Sequence, residues 1–144
     1  MWLQFADWFF LVFHTGLVLF NLVGWIWAKS RKWHLISMLC VAFSWLVLGA
    51  FYGTGYCICT DLHWRVRSEM GKPIHSSSYL QFLVENVTGR SVPVSVLNPL
   101  AAVGFTLLLA VSISLNLRDY RSKRILLRTK EAESLERSAR NLRS

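Results

Sequence analysis

The sequence predicts an all-α membrane protein of three transmembrane helices, with an outer amphipathic helical cap and a cytoplasmic helical extension. Hydrophobic residues make up 53% of the 144 residues and charged residues only 17%, and the charges leave residues 8–28, 33–60 and 91–117 entirely uncharged. Each uncharged stretch reaches the roughly 20 residues that a helix needs to cross a bilayer. This apolar content excludes a disordered chain or a soluble domain, and the three cysteines are too few for a disulfide scaffold.

The chain divides into a transmembrane bundle and a basic helical tail. The expected ranges are 1–117 for the bundle and 118–144 for the tail, with spans at about 6–28, 33–56 and 97–117 and an outer loop at 57–96. We expect the first span to be retained as a helix and not cleaved as a signal peptide, because no Lys or Arg precedes it and the apolar run is too long. The third span is expected to begin at Asn98-Pro99, a capping residue followed by a proline at the first helical position.

The outer loop carries the start and stop signals of two short helices. Leu62, Val66 and Met70 follow helical spacing and end at Gly71. The segment from Ser78 to Gln81 fits a capping box, and the helix that it opens is expected to end at Gly89. We expect these helices to lie on the membrane surface or to cap the bundle.

The distribution of basic residues predicts the orientation in the membrane. Four lie on the side of the outer loop: Arg65, Arg67, Lys72 and Arg90. Twelve lie on the opposite side: Lys29, Arg31, Lys32, Arg118, Arg121, Lys123, Arg124, Arg128, Lys130, Arg137, Arg140 and Arg143. Because the positive side faces the cytoplasm, we expect the N-terminus outside and the C-terminus in the cytoplasm.

Polar and small residues form stripes that we expect to hold the spans together. The predicted helix-packing residues are His14, Asn21, Gly24, Ser37, Ser44, Gly49 and Gly53. A hairpin that turns near Ser30 would put Asn21 level with Cys40, and the GxxxG spacing of the last two glycines would let two helices approach closely. A haem bound by His14 and His34 is disfavoured, because that register separates them by roughly 15–20 Å.

A second candidate site lies in the outer loop, where Cys57, Cys59, Asp61 and His63 alternate. In an extended segment all four side chains would point to one side, and these residue types are ligands of zinc and similar metals. The alternative is a packed turn in which Asp61 pairs with Arg65 or caps a helix, because a CxC motif alone is unspecific. We expect the packed turn and no cofactor.

The tail begins with a basic cluster next to the third span. Arg118, Arg121, Lys123 and Arg124 are expected to contact anionic lipid headgroups. The tail has a single aromatic residue and no recognisable nucleic-acid-binding module, so we expect no nucleic-acid partner.

Several local segments resemble a known family. They are FHTGLVLFN at 13–21, Gly24-Trp25, KWHL at 32–35, Tyr52-Gly53 and YCICTDLHW at 56–64. Together they are similar to small bacterial inner-membrane proteins that carry only a domain-of-unknown-function label. The resemblance covers about 13–89, excludes the tail and implies a multi-span bacterial membrane protein without an assigned activity.

The absence of recognisable catalytic motifs leads us to expect a non-enzymatic accessory or scaffolding membrane protein. Its expected partners are the lipid bilayer and other membrane subunits, or further copies of itself. The alternative is a metal- or haem-linked redox protein that uses the Cys57–His63 cluster or His14. A small transporter or channel ranks lowest, because the spans contain neither internal repeats nor paired carboxylates.

The twelve-to-four division of basic residues predicts the outcome of a topology experiment. A reporter fused after Ser144 should report the cytoplasm, and a membrane-impermeant thiol reagent should reach Cys57 and Cys59 from outside intact cells. Labelling of these two cysteines only in inverted membrane vesicles would reverse the orientation.

Overall fold

The computed structural model describes residues 1–53, 56–72 and 78–141, and within these ranges it contains five helices and no strand. The helices are α1 (Trp2–Val23), α2 (Arg31–Tyr52), α3 (Ile58–Glu69), α4 (Tyr79–Thr88) and α5 (Val94–Asn141). Three of them, α1, α2 and α5, are long and apolar enough to cross a membrane. The predicted all-helical membrane fold is therefore confirmed.

The helices pack mainly in two pairs, α1 with α3 and α2 with α5, and α1 and α2 contact each other less. We call the end of the bundle that holds α3 and α4 the cap end, and the end from which α5 projects the tail end. Among the described residues, only Met38, Tyr79 and Leu97 are buried hydrophobic residues. Most large apolar side chains of the spanning helices therefore face outward, as a bilayer requires.

The loop between α1 and α2 sets the register of these two helices. Helix α1 ends at Val23, earlier than the expected boundary near residue 28. The loop closes through hydrogen bonds from Ser30 Oγ to the Gly24 carbonyl (2.6 Å) and from Arg31 Nε to the Trp25 carbonyl (3.1 Å). The chain therefore turns earlier than expected, and Asn21 lies level with Ser37. The predicted pairing of Asn21 with Cys40 is wrong.

Helix α5 begins before the expected Asn98-Pro99 signal. The Pro93 carbonyl accepts hydrogen bonds from the amides of Val96 (3.0 Å) and Leu97 (3.2 Å), and the helix runs on without interruption through Pro99. Pro99 has no N–H group, so it removes one helical hydrogen bond close to the N-terminus. The predicted start at Asn98-Pro99 is wrong because the turn at Pro93 supplies the first hydrogen bonds instead.

The two short cap helices lie close to where the sequence predicts them. Ser78 Oγ accepts a hydrogen bond from the Gln81 amide (3.2 Å), and this bond fixes the start of α4. Gly89 ends α4 with φ +66°, a left-handed conformation that glycine adopts without a steric penalty. Helix α3 is longer at its start than expected, because it already begins at Ile58.

Gly53 ends α2, and its role differs from the predicted close helix contact. A Cβ atom built on Gly53 meets no described atom within 4 Å, so no neighbouring helix requires the missing side chain. Its backbone has φ 109° and ψ 149°, a region that is almost exclusive to glycine. Gly53 is therefore needed for its conformation, whereas Gly49, one turn earlier, is buried.

Replacement of Gly53 by alanine should lower the free energy of unfolding by about 1–3 kcal/mol, because alanine does not tolerate this backbone region. The matched control is Gly16→Ala within α1, where an added Cβ also meets no described atom; it should be neutral or stabilise by up to about 1 kcal/mol. Thermal unfolding in detergent measures both. Equal and small effects would contradict the conformational role.

Candidate functional site

A buried carboxylate, Asp7, lies near the N-terminus of α1 and is only 8% exposed. Its oxygens accept hydrogen bonds from His63 Nε2 (2.8 Å) and Lys72 Nζ (2.5 Å). Arg67 completes the set as an ion pair at 3.5 Å. One side chain of α1 is thus joined to three side chains of α3 and the segment that follows it.

The spacing along α3 explains why these partners meet. His63 and Arg67 are four residues apart, so they lie on one face of the helix. Helix α3 ends at Glu69, and Lys72 follows shortly after it. Burial of a lone carboxylate would be costly, and the two cations and the imidazole offset that cost. Any change that removes Asp7 leaves these groups without their shared acceptor.

His63 is completely buried in an aromatic setting. The rings of Phe10, Trp64 and Phe82 surround it, with centroid distances of 5.4–6.0 Å. Because an ionised carboxylate only accepts hydrogen bonds, the proton of the neutral imidazole lies on Nε2, opposite Asp7. The other nitrogen, Nδ1, is buried and has no hydrogen-bond partner in the described structure. Burial lowers the pKa of His63, although Asp7 opposes this effect.

A second contact joins α4 to the middle of α1. The ring of Tyr79 stacks on that of His14 with a centroid distance of 3.6 Å, and its hydroxyl donates a hydrogen bond to the Leu11 carbonyl (3.0 Å). The same hydroxyl also lies 3.1 Å from Thr15 Oγ1. Burial raises the pKa of Tyr79, so the phenol stays protonated and able to donate.

The contact residues of α1 follow one helical face. Asp7, Leu11, His14 and Thr15 are separated by four, three and one positions, which is the spacing of a continuous stripe. Helices α3 and α4 therefore pack along the side of α1, down to its middle. We call the six side chains of this contact the cap site: Asp7, His14, His63, Arg67, Lys72 and Tyr79.

At the tail end, a separate polar seam joins α1, α2 and α5. His34 is fully buried, and its ring nitrogens lie 2.9 Å from Ser112 Oγ and 3.0 Å from the Asn21 carbonyl. The Ser37 hydroxyl donates to the Asn21 side chain at 2.8 Å. On the tail side of this seam, Arg31 and Asp119 form an ion pair at 3.0 Å that joins α2 to α5.

The metal-binding edge, the less favoured interpretation of Cys57, Cys59, Asp61 and His63, is contradicted because these residues do not lie in an extended segment. Helix α3 begins at Ile58, so the alternation is lost and the side chains diverge. His63 faces Asp7, whereas Asp61 forms a surface ion pair with Arg65 at 3.0 Å. The residue at the N-cap is Cys57 and not Asp61. Within the described ranges, no three His, Cys, Asp or Glu side chains are placed to share a metal ion.

The predicted packing residues have diverse positions. His14 belongs to the cap site, and Asn21 and Ser37 belong to the tail-end seam. Ser44 instead donates to the Tyr56 carbonyl (3.0 Å) at the start of a π-helical turn, Ser44–Leu48, within α2. Gly24 lies in the loop after α1, where an added Cβ would come within 2.6 Å of the Phe20 carbonyl oxygen. Gly24 therefore serves the loop and not a contact between spans.

Sequence reasoning missed the four cap-site residues Asp7, Arg67, Lys72 and Tyr79. Asp7 is the only acidic residue before Asp61, and it borders the first uncharged stretch. Its position seven residues, about two turns, from His14 on one helical face was the available signal. Its basic partners, Arg67 and Lys72, come from the outer loop. The number of charges in that loop does not reveal how the loop folds.

Three spanning helices with two short helices packed against the first define a multi-span membrane protein with a helical cap. The chain belongs to the DUF2784 family, whose model, described as a protein of unknown function, matches residues 4–117. No curated protein and no solved structure is significantly similar to this chain. The match covers the spanning helices and the cap but not the exposed extension of α5.

Removal of the Asp7 carboxylate should detach the cap from α1. Asp7→Ala leaves His63 without its acceptor and two cations without their counter-charge, so it should lower the free energy of unfolding by about 2–4 kcal/mol. Asp61→Ala, which breaks an exposed pair with Arg65, is the matched control and should cost about 0.3–0.5 kcal/mol. Thermal unfolding in detergent checks both, and a cost for Asp7→Ala no larger than the control would show that Asp7 does not hold the cap.

Proposed function

We propose that the protein is a non-enzymatic accessory or scaffolding membrane protein and a subunit of a larger membrane complex. The proposed location is a bacterial inner membrane, with the cap end outside and the tail end in the cytoplasm. The observation that carries the proposal is the long extension of α5, residues 120–141, which we call the arm. Its described side chains are all exposed.

The interior of the bundle supports a structural role. The buried polar side chains are used mainly to join helices: Asp7 and His63 join α1 to α3, and His34 and Ser112 join α2 to α5. The Ser112 hydroxyl lies 2.9 Å from His34 Nδ1, but both side chains are fully buried between helices and closed to a substrate. The buried polar groups already form hydrogen bonds with each other, and this arrangement suits a scaffold better than a catalyst.

The described side chains of the arm are exposed to solvent. Beyond Asp119, which pairs with Arg31, α5 continues to Asn141 with no proline or glycine in this part. Most of the stability of a helix in a protein comes from packing of one face against a neighbour, and the pair Glu133 and Arg137, four residues apart, adds only a little. A docked partner would supply the missing stabilisation and would make use of a surface that the bundle itself leaves uncovered.

The direction of the arm favours a protein partner over lipid for its distal part. Arg118, Arg121, Lys123 and Arg124 lie in the first turns after the span, and we assign them to anionic headgroups. Since α5 is continuous, residues 125–141 extend roughly 25 Å further along the helix axis, at about 1.5 Å per residue. The exposed Leu127 and Leu135 are then available to the cytoplasmic part of a membrane complex.

Site-specific photocrosslinking in cells tests this assignment. A photoreactive residue at Leu127 should give one discrete protein adduct, whereas the same residue at Thr129, on the opposite side of the arm, should give an adduct at least about tenfold weaker. Leu127→Glu combined with Leu135→Glu should shift the protein from a larger native assembly to a smaller one. Absence of a discrete adduct together with an unchanged assembly size would contradict the proposal.

A further inference from the structure

The cap site contains two buried histidines whose Nδ1 atoms have no described hydrogen-bond partner, His14 and His63, and His63 is the one that Asp7 binds. His63 Nε2 donates its hydrogen bond to Asp7, so a further proton can bind only to the lone pair of Nδ1. The described titratable and charged groups around the ring come from each neighbouring segment: Asp7 and His14 from α1, Arg67 from α3, Lys72 after α3, and Tyr79 from α4. Two of these five groups are cations and one is an anion.

A proton on Nδ1 is incompatible with the docked arrangement. It would create a buried N–H group without an acceptor among the described residues, because Nδ1 has no partner there. A buried donor left unpaired is unfavourable. The ring would also gain a positive charge beside Arg67 and Lys72, which attraction to Asp7 offsets only in part. Movement of α3 away from α1 exposes Nδ1 to water and relieves both problems.

We infer that His63 is the proton-binding site of a latch: uptake of one proton on Nδ1 releases α3 and α4 from α1. The ligand is a proton from the solution on the cap side of the membrane. Tyr79 ties α4 to the same face of α1, and its ring lies 6.2 Å from that of His63. Loosening of α3 therefore disturbs the contact of α4 as well.

The direction of the pH effect follows from the burial of the imidazole. The pKa of His63 is lowered from its ordinary value of 6.5 in the docked state, so the released state binds the proton more strongly. Docking is fully present above about pH 6.5 and is lost as the pH falls towards the lowered pKa. For a single proton, the equilibrium moves towards release by at most about tenfold per pH unit.

The tail-end seam provides a matched histidine without this property. Both nitrogens of the buried His34 have partners, and both partners, Ser112 Oγ and the Asn21 carbonyl, can accept a hydrogen bond. A proton added to His34 would therefore find an acceptor. His34 and His63 differ in the partner of their second nitrogen, and this difference makes His34 the control.

The latch is tested by hydrogen exchange of the full chain in lipid nanodiscs at pH 7.5 and pH 5.0. The rates are corrected for the intrinsic pH dependence of amide exchange. In the wild type, the protection of 58–69 and 79–88 should fall at least several-fold at the lower pH relative to 31–43. His63→Gln keeps an N–H donor for Asp7 but cannot take up a proton, so its cap should lose this response. His34→Gln should keep the response.

A pH-independent cap in the wild type, or an unchanged response in His63→Gln, would overturn the inference. A response that disappears only in His14→Gln would move the proton to His14 and would equally overturn it. If His63→Gln is unprotected already at pH 7.5, NMR of labelled imidazoles in the wild type decides the question. The ring of His63 should titrate at the midpoint of cap release, and distinct midpoints would overturn the latch.

Discussion

The cap depends on one buried carboxylate. Within a bilayer, apolar helix faces gain little by leaving lipid, so specific association relies on close packing and on polar contacts. Asp7 joins α1 to His63, Arg67 and Lys72 at a single point. Tyr79 adds a second contact by stacking on His14, about two turns further along α1. The position of α3 and α4 beside the first span follows from these two contacts.

The same principle operates at the opposite end of the bundle. His34 joins α1 to α5 through its two ring nitrogens, and Arg31 pairs with Asp119 close by. Helix α1 presents polar residues to both groups, with Asp7 and His14 at the cap end and Asn21 at the tail end. The spacing of seven between them keeps all three on one face. A single stripe therefore positions α1 against every other part of the bundle that it contacts.

The sequence predicted the elements better than their contacts. Uncharged length identified the three spans, and Ser78 and Gly89 marked the ends of α4, because these signals are local. Register and partners depend on how loops fold. Because the chain turns at Gly24, Asn21 contacts Ser37 and not Cys40. Because α3 already begins at Ile58, the two cysteines and His63 do not point to the same side. In both places, hydrogen bonds in a loop decide where the adjacent helix ends or begins. The spacing of residues in the sequence does not reveal these bonds.

The central claim is that the Asp7–His63 hydrogen bond couples α1 to α3. A double-mutant cycle with Asp7→Ala, His63→Phe and the combined variant measures this coupling directly from unfolding in one detergent. Asp7→Ala removes the acceptor, and His63→Phe removes the donor while it keeps an aromatic ring at this position. The account predicts a coupling energy of at least about 1 kcal/mol, as for contacting residues in one network. Strict additivity of the two single effects would contradict it.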